Sequence, residues 1–304
     1  MRRKRWNPEM ISPSTSPRVS VIIPHYDDVE SLRQCLEALN KLDTPRSEYE
    51  LVLADNDSPD FNTRFAPIAH LVDKVLTVKQ KGAGPARNGG VEVASAPTLA
   101  FIDSDCVPHQ DWLNKGIDSL HHCDIAGCKV VVTTPEARAL SGAEAFELCF
   151  AFNNQRYIEE EGFTVTAGIF CKRELFKKVG GFKTGVSEDK EWCHRATQKG
   201  YILGYAGLSI IEHPPRKNWD ELKIKWRRLN RETYALILTK PNGKLRWFLR
   251  TLLLPISAVI HTPKIFNCKS LVKLESKLSA TQTLYKIRLW RFYDGLRLII
   301  DDIK

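Results

Sequence analysis

The chain has 304 residues, 43% of them apolar and 27% charged, with a formal net charge of +9. That composition belongs to a soluble globular protein and excludes a disordered chain, and the length allows one large domain or two smaller ones. The charge is uneven: residues 214–304 carry 20 Lys and Arg against 7 Asp and Glu, so the whole excess sits in the last third and the rest is mildly acidic.

Eight cysteines are scattered with no CxxC pair, which fits a reduced cytosolic setting better than a disulfide framework. The nearest approach to a zinc pattern, His121-His122-Cys123 with Cys128, lacks a second ligand pair at finger spacing. The basic start, Met1 to Trp6, has no apolar stretch behind it, so neither a signal peptide nor an anchor is expected there.

Residues 1–17, with three prolines and several serines, read as a flexible tail. A β-branched strand is predicted over 19–23, ended by Pro24, and a helix over 27–40 with apolar residues at 29, 32, 36 and 39. Strands follow at 51–54 and 75–78, then a helix at 84–94, a strand at 99–102, a helix at 110–120 and a strand at 125–132. Residues 164–170 look extended, 172–179 helical, and Gly180-Gly181-Phe182 a turn. A helix over 187–199 opens on Glu188 and Asp189, and strands at 201–206 and 209–211 lead to His213-Pro214-Pro215. Short apolar strands alternating with helices predict an α/β fold with a mainly parallel central sheet. Ligands of such sheets sit at the carboxyl ends of the strands, where Asp55, Asp103 and Asp105 fall.

Beyond Pro215 the texture changes. Leu222, Trp226, Leu229, Thr233 and Leu236 share one helical face, with Lys223, Arg227, Arg228 and Arg231 elsewhere. Residues 251–260 are nearly all apolar, but a bilayer span needs about 20 residues. Residues 285–300 form another helix in which apolar residues alternate with Lys286, Arg288, Arg291 and Arg297. Basic amphipathic helices of this kind lie on anionic membrane surfaces, or else cap the domain before them. The expected organisation is therefore a tail at 1–17, a catalytic domain at 18–216 and a C-terminal helical region at 217–304.

The most informative stretch is Phe101-Ile102-Asp103-Ser104-Asp105, a short apolar strand running into two carboxylates. In an extended segment residues i and i+2 share a side, so both carboxylates are expected to converge on one point. Like charges held that close call for a cation, and hard oxygen donors suit Mg²⁺ or Mn²⁺ accompanied by substrate phosphates. A solvated Asp-Ser-Asp turn is the plainer alternative. For Glu188 and Asp189 the plainer alternative is favourable interaction with the helix dipole.

Taken in order over about residues 18–231, these motifs resemble the inverting family 2 glycosyltransferases of GT-A fold, of the bacterial polysaccharide or glycolipid type. Val19 to Tyr26 is similar to the family's opening strand and loop, and Leu53-Ala54-Asp55-Asn56-Asp57-Ser58 to its second-strand signature, with Asp57 replacing a usual small residue. Gly82 to Gly90 resembles the donor-binding Gly-x-x-x-Ala-Arg-Asn-x-Gly segment. Asp103-Ser104-Asp105 is similar to the DxD element, Ser187 to Trp192 to the Glu-Asp helix start, and Ile211 to Arg216 to the strand end that carries a metal-binding His. The resemblance implies donor contacts from Pro24, Tyr26, Asp55, Gly84, Arg87, Asn88, Asp103, Ser104, Gly168 and Glu188. It implies Mg²⁺ or Mn²⁺ at Asp103, Asp105 and His213, with Asp189 as catalytic base. The implied partners are a nucleoside-diphosphate sugar (a UDP-sugar favoured) and a glycan or lipid-linked acceptor. The implied place is the cytoplasm, peripheral on the inner face of the cell membrane.

Three other classes are weighed against this. An inactive sugar-nucleotide-binding protein would have no physical reason to keep carboxylates at 55, 103, 105 and 189. A sugar nucleotidyltransferase would want a Gly-x-Gly-x-Arg loop after the first strand, where this chain has Pro24-His25-Tyr26-Asp27. A nucleic-acid binder is suggested by charge alone, since the tail's aromatics sit at helical core spacing and not on a stacking platform. Processive synthases of the family carry a Gln-x-x-Arg-Trp segment that is missing here, so one sugar per acceptor is expected.

Overall fold

The structure, a computed structural model, describes residues 16–134 and 139–302. The expected tail at 1–17 falls almost wholly outside the described residues. In chain order the elements are β1 (Val19–His25), α1 (Val29–Leu39), β2 (Tyr49–Asp55), α2 (Phe61–Phe65), β3 (Lys74–Thr77), α3 (Ala83–Val93), β4 (Thr98–Ile102), β5 (Val107–Pro108), α4 (Trp112–Ser119) and β6 (Ile125–Val132). There follow α5 (Gly142–Phe150), α6 (Asn154–Glu161), β7 (Gly168–Lys172), α7 (Arg173–Val179), α8 (Glu188–Gln198) and β8 (Leu203–His213). The C-terminal helices are α9 (Trp219–Leu238), α10 (Gly243–Leu252), α11 (Leu254–Phe266) and α12 (Leu274–Asp301).

The strands form one sheet in the order β3-β2-β1-β4-β7-β6-β8-β5. The first four run parallel, and β7 runs against both of its neighbours. β1, β2 and β4 are buried along their whole length, as central parallel strands covered on both faces must be. One core joins α1, α2 and α4 to the sheet, and a second joins α3, α7 and α8 to its other face. In α1 the buried residues Leu32, Cys35, Leu36 and Leu39 form one stripe, and Asp28 caps the helix by accepting from the Ser31 N–H at 3.1 Å.

Two expectations change. Pro24 does not end β1, which pairs with β2 through His25; its ladder with β4 stops at Ile22, so a residue without an N–H is tolerated there. The two expected strands at 201–206 and 209–211 are one strand, β8, whose register against β6 shifts at Cys128/Lys129, a bulge that carries it on to His213.

A third core lies apart from the sheet: Ala143, Phe146 and Cys149 of α5 pack with Leu222, Ala258, Ile265, Leu284 and Ile287 of the C-terminal helices. α5 starts on a capping box in which Ser141 and Glu144 satisfy each other's backbone N–H groups. α12 packs along α5, α9, α10 and α11, and residues of α9, α10 and α12 line one cleft with the residues that end β1 and follow β4. Among the described residues no helix is long and apolar enough to cross a membrane.

Candidate active site

The carboxyl ends of β1 and β4 and the end of β8 open on a cleft of about 690 Å³, within the range of small-molecule sites. Pro24, Tyr26, Arg87, Asp103, Ser104, Asp105, Glu188, Asp189 and His213, all expected at the site, line it together.

Other expected residues stand behind the lining. Asp55, 1% exposed, lies within 2.9 Å of His25 Nδ1 and accepts from the Ser58 hydroxyl at 2.6 Å and the Ser58 N–H at 2.9 Å. It thereby fixes His25, which does line the cleft. Asn88 clamps the turn before α8, donating to the Phe182 carbonyl at 2.9 Å and accepting from its N–H at 2.8 Å. Gly84 packs on the same turn, where a Cβ would come within 3.3 Å of Phe182 Cβ. Gly168 pairs with Ile102, and a Cβ on it would sit 1.8 Å from Cys128 Sγ. These residues shape the walls rather than face the cavity.

The two carboxylates of the DxD element line one cleft but have different partners. β4 ends at Ile102, and the chain turns, with the Cys106 N–H donating to the Asp103 carbonyl, so the alternation of an extended strand does not apply to 103–105. Asp103 accepts from Arg87 Nη2 at 2.5 Å, and Arg87 Nη1 reaches Glu188 at 3.1 Å. Burial alone would lower the Arg87 pKa, but these two carboxylates raise it above its ordinary value.

Asp105 has its own partners. Its Oδ2 lies 3.5 Å from His213 Nε2 and 3.9 Å from Arg216 Nη1. His213 Nδ1 is 2.6 Å from the Pro214 carbonyl, a contact only an N–H can make favourably, and it turns Nε2 toward Asp105. Ligand atoms of Asp105, Cys106 and His213 all lie within 4.8 Å of one another. Burial first, then Asp105 and Asp103, push the Cys106 thiol well above its ordinary pKa, so it stays protonated and is the poorest donor of the three. A carboxylate and an oriented imidazole fit a divalent ion that takes its remaining ligands from substrate oxygens and water.

Asp189 opens α8. Its Oδ1 accepts from the Ser187 hydroxyl at 2.9 Å and the Lys190 N–H at 2.7 Å, while among the described residues none donates to Oδ2. Burial, then the Glu188 carboxylate, raise its pKa above the ordinary aspartate value, against the opposing pull of those two hydrogen bonds and Arg87. A carboxylate with one open oxygen and a raised proton affinity can accept a proton from a hydroxyl in the cleft.

The sequence reading left out the far wall. Arg156, Lys225, Trp226, Glu232, Arg250 and Arg291 line the cleft from α6, α9, α10 and α12. Burial raises the Glu232 carboxyl to about 7, with Arg228 opposing and Glu188 and Asp189 adding to it. Glu232 is the one acid in α9 beyond its first turn, amid Lys223, Lys225, Arg227, Arg228 and Arg231, and that was the available signal for it.

The sheet order and the cleft at the strand ends are those of a GT-A-type transferase fold. The family model of glycosyl transferase family 2 matches residues 20–180. The glycosyltransferase AglE of Haloferax volcanii is 34% identical over 229 residues, covering 70% of this chain and 72% of AglE. The chain belongs to glycosyl transferase family 2 and is a glycosyltransferase. Against the next curated relatives it spans about half their length, 43% and 54%. Among solved structures, a mannosyltransferase from Pyrobaculum calidifontis, PcManGT, in complex with GDP-Man and Mn²⁺, superposes with a TM-score of 0.63 at 17% identity, covering 96% of this chain and 89% of that one. S. aureus TarS in complex with UDP-GlcNAc gives 0.53 at 19% identity, covering 91% and 81%. At these identities the two likenesses concern the fold.

Proposed function

We propose that this cleft moves one sugar from a nucleoside-diphosphate sugar, with a UDP-sugar favoured, to a hydroxyl of a glycan or lipid-linked acceptor, inverting the anomeric carbon. The observation that carries the reading is the meeting, in one cleft, of the Asp105–His213 donor pair with the open carboxylate of Asp189. The GDP-Man and UDP-GlcNAc bound by the two structural neighbours support a donor of this class.

In this reading Pro24, Tyr26 and the Asp55-held His25 frame the nucleotide end, and Arg87, Asp103 and Ser104 the ribose and diphosphate. Bound at Asp105 and His213, with Asp103 close by, a divalent ion would offset the charge of the departing nucleoside diphosphate as a Lewis acid. An imidazole among the donors suits Mn²⁺ better than Mg²⁺, which prefers oxygen throughout. Asp189 Oδ2 takes the proton of the acceptor hydroxyl. The hydroxyl oxygen bonds to the anomeric carbon from the face opposite the diphosphate, whose bond to that carbon breaks.

Residues 18–216 then form the catalytic unit, and 217–304 a helical region that walls the acceptor side. Leu249, Leu252, Leu253, Ile256 and Ile260 are exposed along α10, α11 and their junction. With the basic residues of the same region they suit a cytoplasmic enzyme lying peripherally on the inner face of the cell membrane.

Incubation with UDP-, GDP- and dTDP-sugars in the presence of Mn²⁺ tests the donor class. Release of one nucleoside diphosphate above background is expected, and release from none of them would overturn the reading.

A further inference from the structure

Arg291 of α12 is only 5% exposed, yet it lines the cleft. Its guanidinium lies 4.0 Å above the Trp226 ring centroid, and its Nε donates to Asn230 Oδ1 at 3.0 Å. Asn230 is oriented in turn by donating to Asp294 at 2.9 Å. Stacking and the Nε bond fix the plane of the guanidinium, and neither Nη nitrogen donates to any described residue. Arg288 stands one turn earlier on α12, with its Nε buried and without a partner. Arg250 comes from α10, is exposed, and lines the cleft as well. Among the described residues none of the three forms an ion pair. Burial, then Arg288 and Arg250, hold the Arg291 pKa well below its ordinary value, with Asp294 as the one opposing charge.

Three guanidinium charges with no ion-pair partner repel one another, and the buried Arg288 Nε and the open arms of Arg291 leave donors unmet, an arrangement that an anion relieves. A planar guanidinium held with both terminal nitrogens open is built for bidentate contact with a phosphoryl group. This corner is not the Asp105–His213 end of the cleft. The His213 ring packs on Phe152 at 5.0 Å, Lys225 Nζ covers Phe152 at 5.4 Å, and only beyond the adjoining Trp226 does Arg291 follow. Arg250 also feels Glu161, whose carboxylate holds Lys190, the neighbour of Asp189, at 3.0 Å. Arg250, Arg291 and Asp189 line the same cleft.

We propose that Arg250 and Arg291, with the charge of Arg288 behind them, bind a phosphoryl group carried by the acceptor, and so set its hydroxyl against Asp189. This rests on the proposed transferase reading and adds the acceptor's charge to it. The phosphoryl group can be borne by a lipid, whose chain would leave along the exposed apolar face of α10, or by a soluble acceptor.

Titration calorimetry with n-decyl phosphate, inorganic phosphate, and UDP with Mn²⁺ tests it on the wild type, Arg250→Gln and Arg291→Gln. Decyl phosphate affinity is expected to fall about tenfold or more in each variant, the scale of a lost charge-assisted hydrogen bond, while UDP affinity changes less than about threefold. Should Arg291→Gln fail to fold by thermal melting, the exposed Arg250 carries the test. Inorganic phosphate binding as well as decyl phosphate points to a soluble source, and binding by decyl phosphate alone to a lipid; both support the site. Decyl phosphate binding no tighter to the wild type than to Arg250→Gln, or UDP affinity falling in parallel, overturns it. A wild type that binds decyl phosphate but no nucleoside diphosphate would instead sink the transferase reading and leave this site standing.

Discussion

Arg87 on α3 holds Asp103 at the end of β4 across 2.5 Å, and its second arm reaches Glu188 at the start of α8. One 3% exposed guanidinium thus ties the proposed donor side of the cleft to the helix that carries Asp189. Arg87→Met leaves two carboxylates unpaired beside the proposed diphosphate position. Because both retain some contact with water, the expected loss is about 2 kcal/mol of stability, below the figure for a fully buried pair. Denaturant titration and UDP binding should both show a loss.

Asp189→Asn keeps the shape of the side chain and removes its ability to take a proton. Transfer should fall by about 10²- to 10⁴-fold with UDP binding intact. A base works only when deprotonated, and the Asp189 pKa is raised. Wild-type activity should therefore fall as pH drops through a value above the ordinary aspartate pKa of about 3.9. Near-normal transfer by the variant would move the role to Glu188.

Glu232 gives a stability signature. Its folded-state pKa of about 7 lies above the unfolded value of about 4.3, so the folded state prefers the protonated acid. The stability this contributes is fully present below the unfolded value and is lost as pH rises through about 7. Tm should decline between pH 5 and pH 8, and Glu232→Gln should flatten that decline. An equally steep decline in the variant would count against the buried acid.

Surface attachment by residues 217–304 is tested by sedimentation with anionic liposomes. Each Lys or Arg near such a surface adds about 1 kcal/mol, screened by salt, whereas the exposed leucines and isoleucines of α10 and α11 do not depend on charge. Binding should weaken at high salt without vanishing. No binding at low salt would leave these helices as walls of the cleft only.

Much of the sheet is legible in the sequence because β1, β2 and β4 each hold a short apolar run, at 21–23, 51–54 and 99–102, which a doubly covered strand can bury. The direction of β7 is not, since it depends on Gly168 fitting over Cys128, a contact between segments 40 residues apart. Helix α5 escaped the reading although its Ser141-x-x-Glu144 cap stands in the sequence. At the site, Asp103, Asp105, Asp189 and His213 meet in one cleft as their strand-end and helix-start positions imply. Their pairing could not be read, because 103–105 form a turn and Arg87 claims one of the two carboxylates. The tail's charge was plain, but its inward part was hidden. Only the packing of α12 on α9 turns Arg291 toward Trp226 and the cleft.

The central claim, metal-dependent use of a sugar nucleotide at Asp105 and His213, is tested most directly by nucleoside-diphosphate release from the accepted donor with Mn²⁺, with excess chelator, and after Mn²⁺ is restored. The account predicts turnover that chelator abolishes and Mn²⁺ restores in the wild type, and that Asp105→Asn and His213→Ala each lose most of, while remaining folded. Full turnover in excess chelator would contradict it.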